Sequence, residues 1–420
     1  DMAPLFLDAD GDGDQDLFVV SGGVESEPGD PTLRDRLYMN DGRGRFTRAP
    51  NRLPDLRDSG SVAAATDFDR DGDLDIFVGG RVIPGEYPRT PSSRLLINDG
   101  GGRFADRTAE LAPGLGATGL VTSAMWTDVD DDGWSDLMVT HEWGPVRLWR
   151  NLEGKLADAT GEAGLSERSG WWNGIAAGDV DNDGDIDYVV TNVGFNTRYR
   201  ASADHPVMLF HADLDGAGTR TVLEAEYEDG KLVPVRGRSA LTAAAPFLAE
   251  EFTTFDAFAS ASLQELFPGR LDTAHRLEAN TLATGVLVND GQGRFGFAPL
   301  PRLAQIAPGF GVALEDVNGD GNPDLVLAQN CSCPRNETGA FNGGLGLLLT
   351  GNGDGSFDPV WPAESGVVIP GDAKGLATAD IDGDGASDVV VGINDDVPVL
   401  LRNRIPSGTN TAVVRLAGRR

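Results

Sequence analysis

The residues whose types and spacing suggest chemistry are aspartates. One pattern, Asp-x-Asp-x-Asp-Gly-x-x-Asp followed by apolar residues, recurs along the chain. Its acidic positions are Asp8, Asp10, Asp12 and Asp16; Asp67, Asp69, Asp71 and Asp75; Asp128, Asp130, Asp132 and Asp136. They continue as Asp179, Asp181, Asp183 and Asp187; Asp316, Asn318, Asp320 and Asp324; Asp380, Asp382, Asp384 and Asp388. A degenerate copy starts at Asp213 and has Ala217 and Thr221 where the fifth- and ninth-position acids should be. Alternating carboxylates, a Gly that permits a sharp turn and a last acid make a cage of oxygen donors. Hard oxygen ligands at this density select Ca²⁺ over transition metals. An EF-hand loop ends in Glu at its twelfth position, between helices. Here the last acid is the ninth residue and a strand follows, so the loop is of the β-hairpin kind. About six Ca²⁺ sites are expected, with weak or no binding at Asp213. A solvated acidic turn that binds nothing would have no reason to keep both the acid spacing and the Gly through six copies.

The charge balance agrees. Asp and Glu total 66 against 34 Lys and Arg, a formal net charge of −32. Such a chain is repelled by nucleic acid and by anionic membrane surfaces. Unliganded acid clusters repel one another, so the metal reads as a structural staple. Sites of this type in extracellular modules bind at about 10⁻⁴–10⁻³ M. An extracellular, cell-surface or periplasmic location is therefore expected. No apolar run is long enough to span a membrane. Two Cys, Cys331 and Cys333, exclude a disulfide scaffold and a Cys-based zinc site. With one residue between them, they either form a tight disulfide or stay reduced. Asn336-Glu337-Thr338 fits a glycosylation acceptor. The chain starts at Asp1 without a signal-peptide pattern. It is expected to be part of a longer chain.

Repeated elements must position these loops. Their starts lie 59, 61, 51, 34, 103 and 64 residues apart. Each loop follows a short apolar run, such as 61–66, and precedes a β-branched or aromatic one, such as 76–78; both read as strands. Turns of the type Asn98–Phe104, Asn289–Phe295 and Asn352–Phe357 follow and supply the φ > 0 residues of a tight hairpin. Four antiparallel strands per repeat around an axis predict an all-β, seven-bladed propeller over 1–420. From Ala245 to Phe267 apolar residues recur at helical spacing. This predicts a short helical insertion, about 240–285, in the fifth repeat.

The loops and Asn-Asp-Gly-x-Gly-x-Phe turns together resemble FG-GAP/VCBS repeats, the propeller repeats of integrin α-subunits and many secreted bacterial proteins. A narrower resemblance is carried by residues 79–88, 141–145 and 403–418. They look like the cartilage-acidic-protein-like group, in which an ASPIC/UnbV domain follows the propeller. Residues 404–420 would be the last strand or the start of that domain. The resemblance implies bound calcium, an extracellular location and a role in binding or adhesion.

In such a propeller the acidic loops share one face, and the opposite face offers ligand sites. Arg81, His141, Glu142, Trp143, Trp171, Trp172, Asn173, Asn192 and Asn196 are expected on that opposite face, near the third and fourth repeats. Exposed aromatics with amides and carboxylates suit a protein or glycan ligand. Trp171 and Trp172 are adjacent on an extended segment and cannot both point outward. Trp126, on a strand, is expected to pack between blades. Two other readings are a lyase-like polysaccharide enzyme, with His141 and Glu142 near Arg81, and a purely structural scaffold. The four His show no metal-ligand spacing, and no hydrolase or phosphate-loop motif is present. The chain is read as a binding module and not as an enzyme.

Overall fold

The computed structural model describes residues 1–332 and 338–404. It contains seven antiparallel sheets. Six follow one plan. The first blade comprises Ala3–Leu7, Asp16–Val20, Arg36–Met39 and Thr47–Arg48; the second, Ser59–Thr66, Asp75–Val82, Arg94–Asn98 and Phe104–Asp106. The third comprises Leu120–Thr127, Asp136–Pro145, Arg147–Asn151 and Leu156–Asp158, with Ser169–Trp171 added beside the end of its second strand. The fourth is Ile175–Gly178, Asp187–Val190, Gly285–Asn289 and Phe295–Pro299. The fifth is Gly309–Glu315, Asp324–Gln329, Leu347–Gly351 and Phe357–Val360. Three strands of the sixth are described: Ala373–Ala379, Asp388–Ile393 and Val399–Leu401.

The acidic loop joins strands one and two in every blade. Its ninth-position Asp pairs in register with the residue just before the loop, as in Leu7↔Asp16, Thr66↔Asp75 and Ala379↔Asp388. First strands of successive blades pack side by side. Met2, Ser61, Thr122, Ile175, Gly311 and Lys374, one residue from each blade, line a common channel of about 470 Å³.

The core lies between blades. Phe18 and Val20 of the first pack with Ile76 and Val78 of the second. Phe77 then meets Leu137 and Trp149, Met138 meets Tyr188 and Leu287, and Val189 meets Leu325. Val326 meets Val389 and Val391 of the sixth blade. Second strands are therefore buried on both faces, which is why they read as continuous apolar runs. Trp126 packs as expected, 5.8 Å from the Phe68 ring, with its Nε1 donating to the Ala64 carbonyl.

Among the described residues six blades line the channel, where the repeat count predicts seven. The seventh sheet is an excursion from the fourth blade. Strands Asp187–Val190 and Gly285–Asn289 pair directly across it. The Asp213 loop still turns a hairpin, between Val207–Ala212 and Thr221–Glu228. The final strand of this sheet, His275–Ala279, pairs on the other side of Val207–Ala212. That first strand is thus covered on both edges and has no free edge to present to a channel. The predicted helices lie in this excursion, the segment that the loop count takes as a fifth repeat. They are short, Arg238–Ala244, Phe247–Glu251, Phe255–Ser260 and Leu263–Leu266, and share a core with the inserted sheet. The turn Asn289–Phe295 consequently belongs to the fourth blade. No helix among the described residues is long and apolar enough to cross a membrane.

Candidate metal loops and an aromatic cavity

Each loop is shaped by its own backbone. The sixth-position Gly is left-handed throughout: φ is +92° at Gly13, +99° at Gly72 and +82° at Gly133. The fourth position is left-handed as well, even as Arg70, Asp131 and Asn182 (φ +62°, +55° and +59°). Two such residues, on either side of the fifth-position acid, turn backbone N–H groups inward. The first-position Asp accepts them: Asp8 Oδ1 from Gly11 at 2.8 Å and Oδ2 from Gly13 at 3.0 Å. Asp213 keeps this pair with Gly216 and Gly218. The degenerate loop therefore holds its turn without the later acids.

The ninth-position Asp is buried in every blade. Asp16 accepts from Ala9 N at 3.1 Å and from Asn40 N at 2.8 Å, clamping the loop to the end of strand three. Asp75, Asp136 and Asp187 do the same. Burial pushes these carboxyls up, Asp75 to about 7 and Asp136 and Asp187 to about 6. Asp73 rises to about 6, by burial and by the neighbouring Asp71 and Asp69.

Five loops bring carboxylate oxygens within 4.8 Å of one another: Asp8/Asp10/Asp16, Asp67/Asp69/Asp71, Asp128/Asp130/Asp136, Asp179/Asp181/Asp187 and Asp380/Asp382/Asp384. Oδ1 atoms of Asp10, Asp67, Asp130 and Asp179 are buried without a hydrogen-bond partner. A buried, unpaired carboxylate oxygen is costly unless a cation completes it. These triads can hold a metal ion, and an oxygen-only donor set is compatible with calcium. Asp14 and Asp73, at the seventh position, carry the same orphaned oxygens. Their sequence signal was an acid at a position outside the repeating pattern. In the fifth loop Asn318 Nδ2 instead donates to Asp320 Oδ2 at 2.9 Å, an internal replacement for an ion. Arg150 and Arg402 pair with Asp130 and Asp382 and offset part of the loop charge.

The loops also join the blades. Asn98 Nδ2 donates to the Ala9 carbonyl of the preceding loop, Asn151 Nδ2 to Phe68 O and Asn289 Nδ2 to Val129 O. Asn403 reaches Val317 O. Between the fourth and fifth blades the backbone N–H of Gly355 replaces the amide and donates to Val180 O.

At the other end of the blades a cavity of about 340 Å³ opens beside the channel. Arg81, Glu142, Trp143, Trp171 and Asn173 line it, together with Tyr87, Tyr199, Glu224, Phe310, Phe341 and Lys374. Trp143 Nε1 donates to Tyr87 Oη at 2.7 Å, and Tyr87 donates to Glu142 Oε1 at 3.0 Å. Arg81 pairs with Glu142 Oε2. Burial, and then the Glu142 charge, hold the Tyr87 hydroxyl well above its ordinary range. Trp143 and Trp171 meet edge to face with centroids 4.7 Å apart, and Tyr199 lies 5.0 Å from Trp171. Lys374 sits over the Phe310 ring and pairs with Asp372 at 2.6 Å. Trp143 has φ +59° at a register shift in its strand. Backbone strain of this kind at a bulky residue concentrates at ligand sites.

Four of the expected patch residues do not line this cavity. His141 is buried; its Nδ1 is 3.0 Å from Pro145 O and its Nε2 3.2 Å from Thr118 Oγ1. Burial lowers it to about 3, so it is neutral. Trp172 fills the core between the third and fourth blades, 6.0 Å from the Phe297 ring. Asn192 is buried and donates to Thr281 O. Asn196 lies in a separate depression and donates to Ile306 O. Strand alternation turns Trp171 and Glu142 to the cavity and their neighbours Trp172 and His141 to the interior. Tyr199 and Glu224 come from the excursion, where no repeat marks them. Cys331 is disulfide-bonded; Cys333, Asn336 and Glu337 lie outside the described residues.

A family model described as FG-GAP-like repeat matches residues 8–78 and 128–190. The matched FG-GAP-like segments carry the first four acidic loops. No curated protein matches the chain. Among solved structures the chain is similar to the V. cholerae biofilm matrix protein Bap1, with TM-score 0.28 and 12% identity over 94% of this chain and 85% of that one. It is also similar to BBS1N in its complex with ARL6DN, with TM-score 0.35 and 12% identity over 96% and 93%.

Proposed function

We propose that the chain is a calcium-stapled binding module for a protein or glycan ligand in an extracellular, surface or periplasmic setting. The observation that carries this reading is the aromatic cavity opposite the acidic loops, built from separate blades and the excursion. Ca²⁺ would be held by the first-, third-, fifth- and ninth-position acids, with Asp14 and Asp73 as further donors. Bound there, it supplies positive charge that offsets mutual carboxylate repulsion. The blades, locked by their Asn bridges, then keep the cavity in shape. A preformed cavity with fixed polar groups loses little freedom on binding. We favour binding over catalysis because the candidate base, His141, is buried and held by two partners. We also infer that residues 404–420 are the last strand or the start of an ASPIC/UnbV-like domain; 405–420 lie outside the described residues.

The test is a screen against glycans and surface proteins in about 2 mM Ca²⁺, at the upper end of affinities for extracellular sites. Wild type is compared with Trp171→Ala, with and without chelator. Binding lost in Trp171→Ala supports the reading. Absence of any ligand would overturn it in favour of a scaffold.

A further inference from the structure

Resting on the binding reading above, we propose that the cavity takes a neutral sugar, either free or as the end residue of a glycan.

Three observations lead there. The first is the shape of the aromatic wall. Trp143 and Tyr199 are buried and brace Trp171 from two sides, at 4.7 and 5.0 Å between centroids. Rings this close leave no gap between them, so they cannot enclose a cation as separate walls would. Trp171, Phe310 and Phe341 stay part-exposed and line the cavity. They offer ring surface for the C–H face of a pyranose.

The second is charge. Among the described residues, Arg81 and Lys374 line the cavity with Glu142 and Glu224, two cations with two anions. Arg81 is paired with Glu142 and Lys374 with Asp372, while Glu224 accepts from Tyr199 Oη at 2.7 Å. An anionic ligand would face Glu142 and Glu224; a cationic one would face Arg81 and Lys374. A hydroxyl both donates and accepts, and can use either kind of side chain without leaving a charge unpaired.

The third is size and preorganisation. A volume of about 340 Å³ sits at the low end of small-molecule sites. The Trp143–Tyr87–Glu142–Arg81 chain fixes the polar groups before any ligand arrives.

The experiment is titration of the wild-type protein in about 2 mM Ca²⁺, read by tryptophan fluorescence. The probes are methyl glycosides of glucose, galactose, mannose and N-acetylglucosamine, set against glucuronate, glucosamine and a short uncharged peptide. At least one neutral glycoside should saturate the signal, with the charged sugars and the peptide at least about tenfold weaker. Trp171→Ala should abolish the response and Trp171→Phe should retain part of it, with melting curves showing that both variants are folded. If Trp171→Ala does not fold, the wild-type ranking alone decides. Tighter binding of a charged sugar or the peptide would overturn the neutral-sugar assignment and leave a binding module. No response to any sugar would also overturn it, and the protein-ligand arm of the wider screen would then decide whether the binding reading survives.

Discussion

The side-chain amide of Asn98 donates to the backbone carbonyl of Ala9, 2.8 Å away and one blade upstream. The backbone N–H of the same residue closes the clamp of its own loop by donating to Asp75 Oδ1 at 2.8 Å. One residue therefore ties an acidic loop, a hairpin turn and the preceding blade together. Asn40, its counterpart in the first blade, donates instead to Gln15 O of its own blade.

Asn98→Ala or Asn151→Ala should each destabilise the fold by about 1–3 kcal/mol, the cost of leaving buried carbonyls unpaired. Asn40→Ala should cost less, since it is only half-buried and bridges no blades. Denaturant unfolding at fixed Ca²⁺ measures the difference, and equal losses at all three positions would remove the bridging role.

Calcium titration of chelator-treated protein should show about five tighter sites, with the Asp316 loop weaker because Asn318 already bonds Asp320. Asp67→Asn combined with Asp71→Asn should reduce the stoichiometry by about one and lower the melting temperature. Calorimetry that finds the same ion count in the variant would reassign the ligands.

The metal-free protein should lose stability as pH rises. Asp75 sits near 7 and Asp136 and Asp187 near 6, all raised above the ordinary carboxyl value of 3.8. A raised folded-state value stabilises fully at low pH and fades as pH climbs through the folded value. In chelator, melting temperature should therefore fall between about pH 4 and 7. With saturating Ca²⁺ the trend should reverse, because ligation requires ionised carboxylates. Parallel pH profiles in the two conditions would contradict metal binding at these groups.

His141 works in the opposite direction. Burial depresses it from 6.5 to about 3. Its contribution is present above pH 6.5 and is lost as pH falls from there toward 3. NMR should find its ring neutral at pH 5. His141→Gln should flatten the acid limb of stability and leave ligand affinity nearly unchanged, which separates a core role from a catalytic one.

The adjacent tryptophans should separate likewise. Trp172→Ala should cost about 3–5 kcal/mol of stability as a large buried side chain. Trp171→Ala should cost less stability and remove ligand binding. If both variants lost stability equally and still bound ligand, the cavity would not be the site.

The acidic loops were fully legible in the sequence because their chemistry is local. Nine consecutive residues contain the acids and the left-handed Gly, and the next strand starts at the ninth. The same locality gave the hairpin turns and the all-β repeat plan. Blade number was not local. The Asp213 copy has the turn of a loop, and only the pairing of His275–Ala279 with Val207–Ala212 removes it from the ring. Strand alternation told that Trp171 and Trp172 must diverge, yet which one faced outward depended on the blade packed behind them. Arg81, Glu142 and Trp171 were visible as candidates. Tyr199 and Glu224 were not, since they meet the others only when the excursion folds back over the cavity. Sequence by itself determined the loops, turns and strands, whose geometry depends on residues a few positions apart. Tertiary structure decided the ring and the cavity, which depend on contacts between separate blades, such as Arg81 with Glu142.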